Sequence, residues 1–233
     1  RQGFTEQELL AAGLAQRNDK GQIYDRFRGR VMFPLADSRG RVRGFGARAM
    51  REGDRPKYLN SADGPVYQKG RQLFGANHAR SVAAKRGRVI AVEGYADVLA
   101  LHDAGIDESV AVMGTAMTDE QVVELARLAP RIYLALDADR AGRQAMIRAA
   151  RVADRHGIEL LVVDLPTGDD PADLIKEGGP EAFEDRIANA LTVVEFEIAQ
   201  VLAGADLSSA RGRDAVIAEL QPIFELIPAG AVK

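Results

Sequence analysis

A chain of 233 residues, 46% hydrophobic and 28% charged, is long enough for a buried core and one or two domains, and its composition excludes a disordered tail or a fibre. It has no apolar run near the roughly 18 residues of a membrane helix, no signal-peptide pattern, and no Cys, which removes disulfides, thiol nucleophiles and thiolate zinc sites. The net charge of −3 conceals a division: residues 1–90 carry 19 Lys and Arg against 8 Asp and Glu, a surplus of 11 positive charges, whereas residues 91–233 carry 12 against 26.

A soluble, cytosolic protein is expected, and its start at Arg1 inside what reads as folded protein implies a piece of a longer one. FTEQELLAAGLAQ places Thr5 three residues before Glu8, ahead of Leu9, Leu10 and Leu14, and predicts a short capped helix. RVMFPL and RVRGFGAR around ADSRG predict a β-hairpin, with Pro34 marking an edge strand or a bend. Glu52 to Arg71 is read as loop-rich. From Arg88, four short apolar runs (RVIAVE, SVAVM, RIYLAL, ELLVVDL) alternate with helical spacing, the pattern of βαβ units and a parallel sheet. VVEFEIAQVLAG and RGRDAVIAELQPIFELI read as two amphipathic helices, the start of a helical domain cut off at Lys233. The expected organisation is α/β: an open parallel sheet flanked by helices over 86–190, preceded by a basic mixed α+β subdomain over 1–85 and followed by a truncated helical segment over 191–233.

Carboxylates recur where the predicted strands end: Glu93 after VIAV, Asp137 and Asp139 after YLAL, Asp169 and Asp170 after VVDLPTG. Right-handed crossovers bring the carboxyl ends of parallel strands to one edge, where ligands bind in open α/β sheets. Asp139 alone could be a helix cap, but Asp137 lies two residues earlier. Carboxylates gathered in this way repel one another unless a cation compensates. The three His (His78, His102, His156) are scattered, so the donors are oxygens and the expected ion is Mg²⁺. Two such ions about 3.5–4 Å apart would serve phosphoryl transfer.

EGYADVLAL, LALDADRAG and GDDPADLI resemble the three signatures of a Toprim domain. With RFRGRVMFPLADSRGRVRGFGAR and PKYLNSADGPVYQKGRQLFG, the chain resembles the RNA polymerase core of bacterial replicative DNA primases over nearly its whole length. The resemblance implies a Toprim-type fold and divalent-metal binding by Glu93, Asp137 and Asp139, with Asp170 in the third acidic signature. That signature often reads Asp-Pro-Asp, and here Ala172 followed by Asp173 stands at its end, which bears on a second ion. Asp97, four residues after Glu93, and Asp173 are read as supporting acids, and a solvent-facing Asp97 is equally compatible with the spacing.

The resemblance further places Arg48, Lys57, Asn60 and Lys69 near the incoming triphosphate. Arg26, Arg28 and Arg30 alternate in a segment expected to be extended, so their side chains would point one way along a single-stranded backbone. A solvated strand face is the plain alternative. Tyr58 would stack on a base or anchor its loop. The implied reaction is template-directed synthesis of short RNA primers on single-stranded DNA from ribonucleoside triphosphates, with Mg²⁺ as cofactor and Mn²⁺ able to substitute. The implied product is an RNA–DNA hybrid, and the implied place the cytoplasm, at the replication fork. The family's zinc-binding domain and its C-terminal helicase-interacting domain are not visible in this fragment, which is expected to be monomeric. The alternatives are another Toprim enzyme that cleaves and rejoins DNA, and a non-catalytic nucleic-acid-binding module.

Overall fold

Every strand of the main sheet alternates side chains between two buried faces, and that alternation sets the architecture. The computed structural model describes residues 3–114, 117–136, 140–166 and 168–224, the side chains of 140–142 excepted. In chain order the elements are α1 (Glu6–Ala11), β1 (Ala15–Arg17), β2 (Ile23–Asp25), β3 (Arg30–Ala36), β4 (Val42–Ala49) and β5 (Tyr58–Asn60). After a 3-10 turn at Lys69–Arg71 come α2 (Ala76–Arg86), β6 (Arg88–Val92), α3 (Tyr95–Asp103), β7 (Ser109–Ala111), α4 (Asp119–Ala126) and β8 (Arg131–Ala135). The rest is α5 (Arg140–Arg155), β9 (Glu159–Val162), α6 (Pro171–Ala188), β10 (Leu191–Thr192), α7 (Val193–Ala203) and α8 (Ala210–Phe224).

The main sheet has the order β10-β9-β8-β6-β7, with β6 to β9 parallel and β10 antiparallel at the edge. Val89 and Ala91 pack with Ala79 of α2, Leu125 of α4, Met146 of α5 and Phe196 of α7, whereas Ile90 and Val92 pack with Val98 and Leu101 of α3 and Phe183 of α6. Helices therefore cover both faces, as the near-continuous apolar strands require. One of the expected details differs. The segment from 191, read as purely helical, begins with a strand that pairs Leu191 with Val162 and Thr192 with Leu161 before Thr192 caps α7. Helix α6 is kinked into two segments where Gly179 takes φ 71° ahead of Pro180.

The basic part builds a three-stranded antiparallel sheet, β3-β4-β5, in which Pro34 lies on the edge strand as its missing N–H demands. A separate pair, β1-β2, was not expected from the sequence. Arg26 to Gly29 form a turn rather than an extended run, so the three arginines diverge. Arg26 donates to Gln16 and to the Asn60 carbonyl, Arg28 sits 5.0 Å over the Tyr24 ring, and Arg30 donates to the Pro56 carbonyl at 2.7 Å. Gly29, at φ 66°, supplies the left-handed residue this turn requires.

Buried polar groups tie the two sheets together. Gln72 donates to the Ala36 carbonyl at 2.6 Å, and Gln121 of α4 donates to the carbonyls of Gln72 at 3.1 Å and Val112 at 2.9 Å. Phe74 exchanges backbone hydrogen bonds with Ala111 and so covers the β7 edge.

The β3-β4 turn is organised by Asp37, which accepts from the backbones of Arg39 and Arg41 and from the guanidinium groups of Arg41 and Arg43. Desolvation raises its carboxyl, and these hydrogen bonds outweigh it and hold the pKa down at about 2. A depressed acid contributes stability that is present above its ordinary pKa and is lost as pH falls through the folded value. The wild-type melting temperature is therefore expected to drop between about pH 4 and pH 2 more steeply than that of Asp37→Asn. Parallel acid limbs in the two proteins would show that this carboxylate carries no such contribution.

Candidate functional site

The carboxyl ends of the parallel strands open into a cleft of about 650 Å³, and its two walls come from the acidic and the basic parts of the chain. One wall is Glu93 and Gly94 after β6, Met113 and Gly114 after β7, Ala135 at the end of β8, and Asp170 and Pro171 at the start of α6. The other is Arg26, Tyr58 to Ser61 of the β5 region, and Lys69.

Glu93 is exposed on the turn between β6 and α3, held by Met113, whose N–H donates to the Glu93 carbonyl at 3.1 Å. Met113 has φ 55°, a conformation costly for a side chain with a β-carbon, and such residues concentrate at functional sites. Asp97 is buried rather than solvent-facing, and its carboxylate accepts the Gly94 N–H at 2.9 Å, pinning the turn that presents Glu93. Asp170 caps α6 by accepting the Asp173 N–H at 2.8 Å. The Asp173 side chain is exposed and is not part of the lining, so Asp173 acts on Asp170 through its backbone.

Asp137 and Asp139 lie outside the described residues; Ala135, two residues before Asp137, lines the cleft. Among the described residues no group of three His, Cys, Asp or Glu side chains is arranged to hold a metal ion. Glu93 and Asp170 nevertheless face one cleft, and a pair of carboxylates is a donor set for a hard cation.

On the basic wall, Lys69 begins the 3-10 turn, its N–H bonded to Asp63 at 2.7 Å, and a β-carbon built on Gly114 would lie 3.8 Å from its ammonium nitrogen. The positive charge thus faces the loop after β7 across the cleft. Asn60 is half-buried, its side-chain oxygen held by the Tyr95 hydroxyl and its carbonyl by the Arg26 guanidinium at 2.9 and 3.2 Å.

Arg48 and Lys57 are not in this cleft. They line a neighbouring recess with Val31 and residues 49–55, each cation about 6 Å from the Tyr58 ring at 6.0 and 5.8 Å. Tyr58, 42% exposed, lines the cleft, and the Arg48 and Lys57 cations of the recess approach its ring. Sequence reasoning missed the placing roles of Tyr95 and Met113. Tyr95 stands inside the EGYAD signature, which was a usable signal; nothing in the sequence marks the backbone of Met113.

Residues 1–80 match the family described as DNA primase catalytic core, N-terminal domain, and residues 90–175 match the Toprim-like family. The DNA primase of Escherichia coli K12 is 41% identical over 225 residues, covering 95% of this chain and 39% of that protein, so the chain spans about two fifths of such a relative. The RNA polymerase domain of Mycobacterium tuberculosis primase superposes with a TM-score of 0.86 at 33% identity, covering all of this chain and 76% of that domain. A primase catalytic domain solved bound to single-stranded DNA superposes with a TM-score of 0.82 at 40% identity, covering 99% of this chain and 76% of that one.

Proposed function

Because the chain belongs to the DNA primase catalytic-core family, we propose that it synthesises short RNA primers on single-stranded DNA by metal-dependent nucleotidyl transfer from ribonucleoside triphosphates. The observation that carries the reading is the meeting of Glu93 and Asp170 with Lys69 and Asn60 in one cleft. The match of residues 1–80 to a primase-specific family favours a primer-making enzyme over one that cleaves and rejoins DNA.

Labour divides along the charge division: residues 1–85 hold template and triphosphate, 86–190 hold the metal, and the segment from 191 braces the sheet. Glu93, Asp170, Asp137 and Asp139 would hold Mg²⁺ or Mn²⁺, which when bound neutralises charge on the triphosphate and favours ionisation of the attacking hydroxyl. Lys69 places a mobile ammonium against phosphates that must arrive and then leave as pyrophosphate. Asn60 donates to the same group without adding charge. The primer 3′-oxygen forms its bond to the α-phosphorus while the bond to the β-phosphate oxygen breaks.

Arg48, Lys57 and Tyr58, with Arg30 on the Pro56 carbonyl beside them, offer the template a positively charged, aromatic-edged path beside the cleft, and a related catalytic domain solved bound to single-stranded DNA supports template binding by such a core. Arg26 is engaged by the Asn60 carbonyl and acts there by holding β5. Action in the cytoplasm, at the fork, follows from the reaction. Among the described residues no helix is long and apolar enough to cross a membrane.

The test is incorporation of labelled ribonucleotides on a single-stranded template, with and without Mg²⁺. Metal-dependent RNA that is lost in Asp137→Ala, with template affinity retained, is the expected outcome. Template binding without any RNA synthesis would leave the non-catalytic module as the reading.

A further inference from the structure

Tyr95 opens α3 two positions after Glu93, yet its contacts are with the opposite wall of the cleft. The ring, 4% exposed, stacks on Phe33 of β3 at 4.7 Å with 5° between planes and meets Phe74 edge-on at 5.0 Å. Gly46 of β4 lies against it so closely that a β-carbon there would fall 2.1 Å from the hydroxyl oxygen. The ring is thereby immobilised, and its hydroxyl donates to Oδ1 of Asn60.

The backbone of Asn60 is fixed independently, by pairing of β5 with Gly46 and by the Arg26 guanidinium on its carbonyl. Among the described hydrogen bonds, its side chain has Tyr95 as partner. An amide whose oxygen is held by a hydroxyl commits its NH₂ group to the other side, where it can only donate.

We propose that Tyr95 is a positioning residue that orients the Asn60 amide toward the triphosphate of the incoming nucleotide and couples that contact to the turn bearing Glu93. The inference rests on the nucleotide-binding role proposed for Asn60. Tyr95 acts through Asn60, so the two residues form one unit and their substitutions cannot have independent effects.

Tyr95→Phe keeps the ring and its packing and removes the hydroxyl alone. The readout is Mn²⁺-dependent binding of a ribonucleotide analogue with a methylene bridge between the α- and β-phosphates, measured on the full chain. Affinity is expected to fall by about 5–10-fold, the loss of one oriented hydrogen bond, with the melting temperature within about 2 °C of wild type. Adding Tyr95→Phe to Asn60→Ala is expected to change affinity by less than about 2-fold, because the unit is already broken. In primer synthesis KM rises with kcat nearly unchanged, the mark of lost binding common to ground and transition states.

Unchanged affinity in folded Tyr95→Phe, or effects that multiply in the double variant, would overturn the coupling. Wild-type protein that binds the analogue but makes no primer refutes the proposed function alone and leaves the coupling to the binding data. Wild-type protein that binds no analogue refutes both.

Discussion

Glu93→Gln is expected to lower primer synthesis by at least about 10²–10³-fold, the scale on which loss of one well-placed electrostatic contact to a transition state is felt. Glutamine has nearly the same shape, and Glu93 is exposed on its turn, so folding is expected to change by no more than about 0.5 kcal/mol. What is lost is one of the negative charges proposed to hold a divalent cation in the cleft. The prediction therefore has a second readout that needs no activity. Wild-type protein should gain melting temperature on addition of Mn²⁺, because an ion bound only by the native state stabilises it, and Glu93→Gln should gain less. Single-strand affinity should persist, since the path proposed for the template runs by Arg48 and Lys57 in the adjoining recess and the neighbouring Tyr58 rather than by Glu93. Primer synthesis by Glu93→Gln at the wild-type rate would remove Glu93 from the chemistry.

The largest stability effect is expected at the other end of the sheet. Glu108 precedes β7 and is wholly buried, bonded to Arg86 at 2.8 and 3.0 Å and to Arg88 at 2.8 Å. Arg88 continues to Glu184 of α6 at 2.6 Å, so the network clasps α2, β6, the β7 entry and α6. Burial opposes the charge of Arg88, but its hydrogen bonds to Glu184 and Glu108 outweigh that and hold its pKa above the ordinary value. Glu108→Ala leaves two guanidinium groups without their buried counter-charge, and the expected loss is about 3–5 kcal/mol. For a chain of this size that lowers the melting temperature by roughly 10 °C. Because Glu108 and Glu93 lie at opposite ends of the parallel strands, nucleotide affinity of the protein that remains folded is expected to be unchanged well below that temperature. A melting temperature within about 2 °C of wild type would show that the network is dispensable.

Local signals were legible wherever chemistry and spacing are short-range. Thr5 and Glu8 form the capping box their spacing announces, and Asp37 organises the turn of the hairpin read around ADSRG. The apolar runs after Arg88 became parallel strands joined by helical crossovers, and their near-continuous apolar character suits a sheet covered on both faces. The arginines at 26, 28 and 30 show where such reasoning stops. Alternation implies one face only if the backbone is extended, and Gly29 turns it instead.

From its residue order alone the chain declared a parallel α/β unit, a basic part ahead of it and acids at strand ends, because periodicity, capping and charge act between near neighbours. That Glu93 and Asp170 share a cleft with Lys69, that Arg48 and Lys57 stand in the next recess, and that Tyr95 reaches Asn60 were decided by tertiary structure. The contacts across the cleft join residues separated by tens of positions, and the packing of two sheets through Gln72, Gln121 and Phe74 fixes which of them meet.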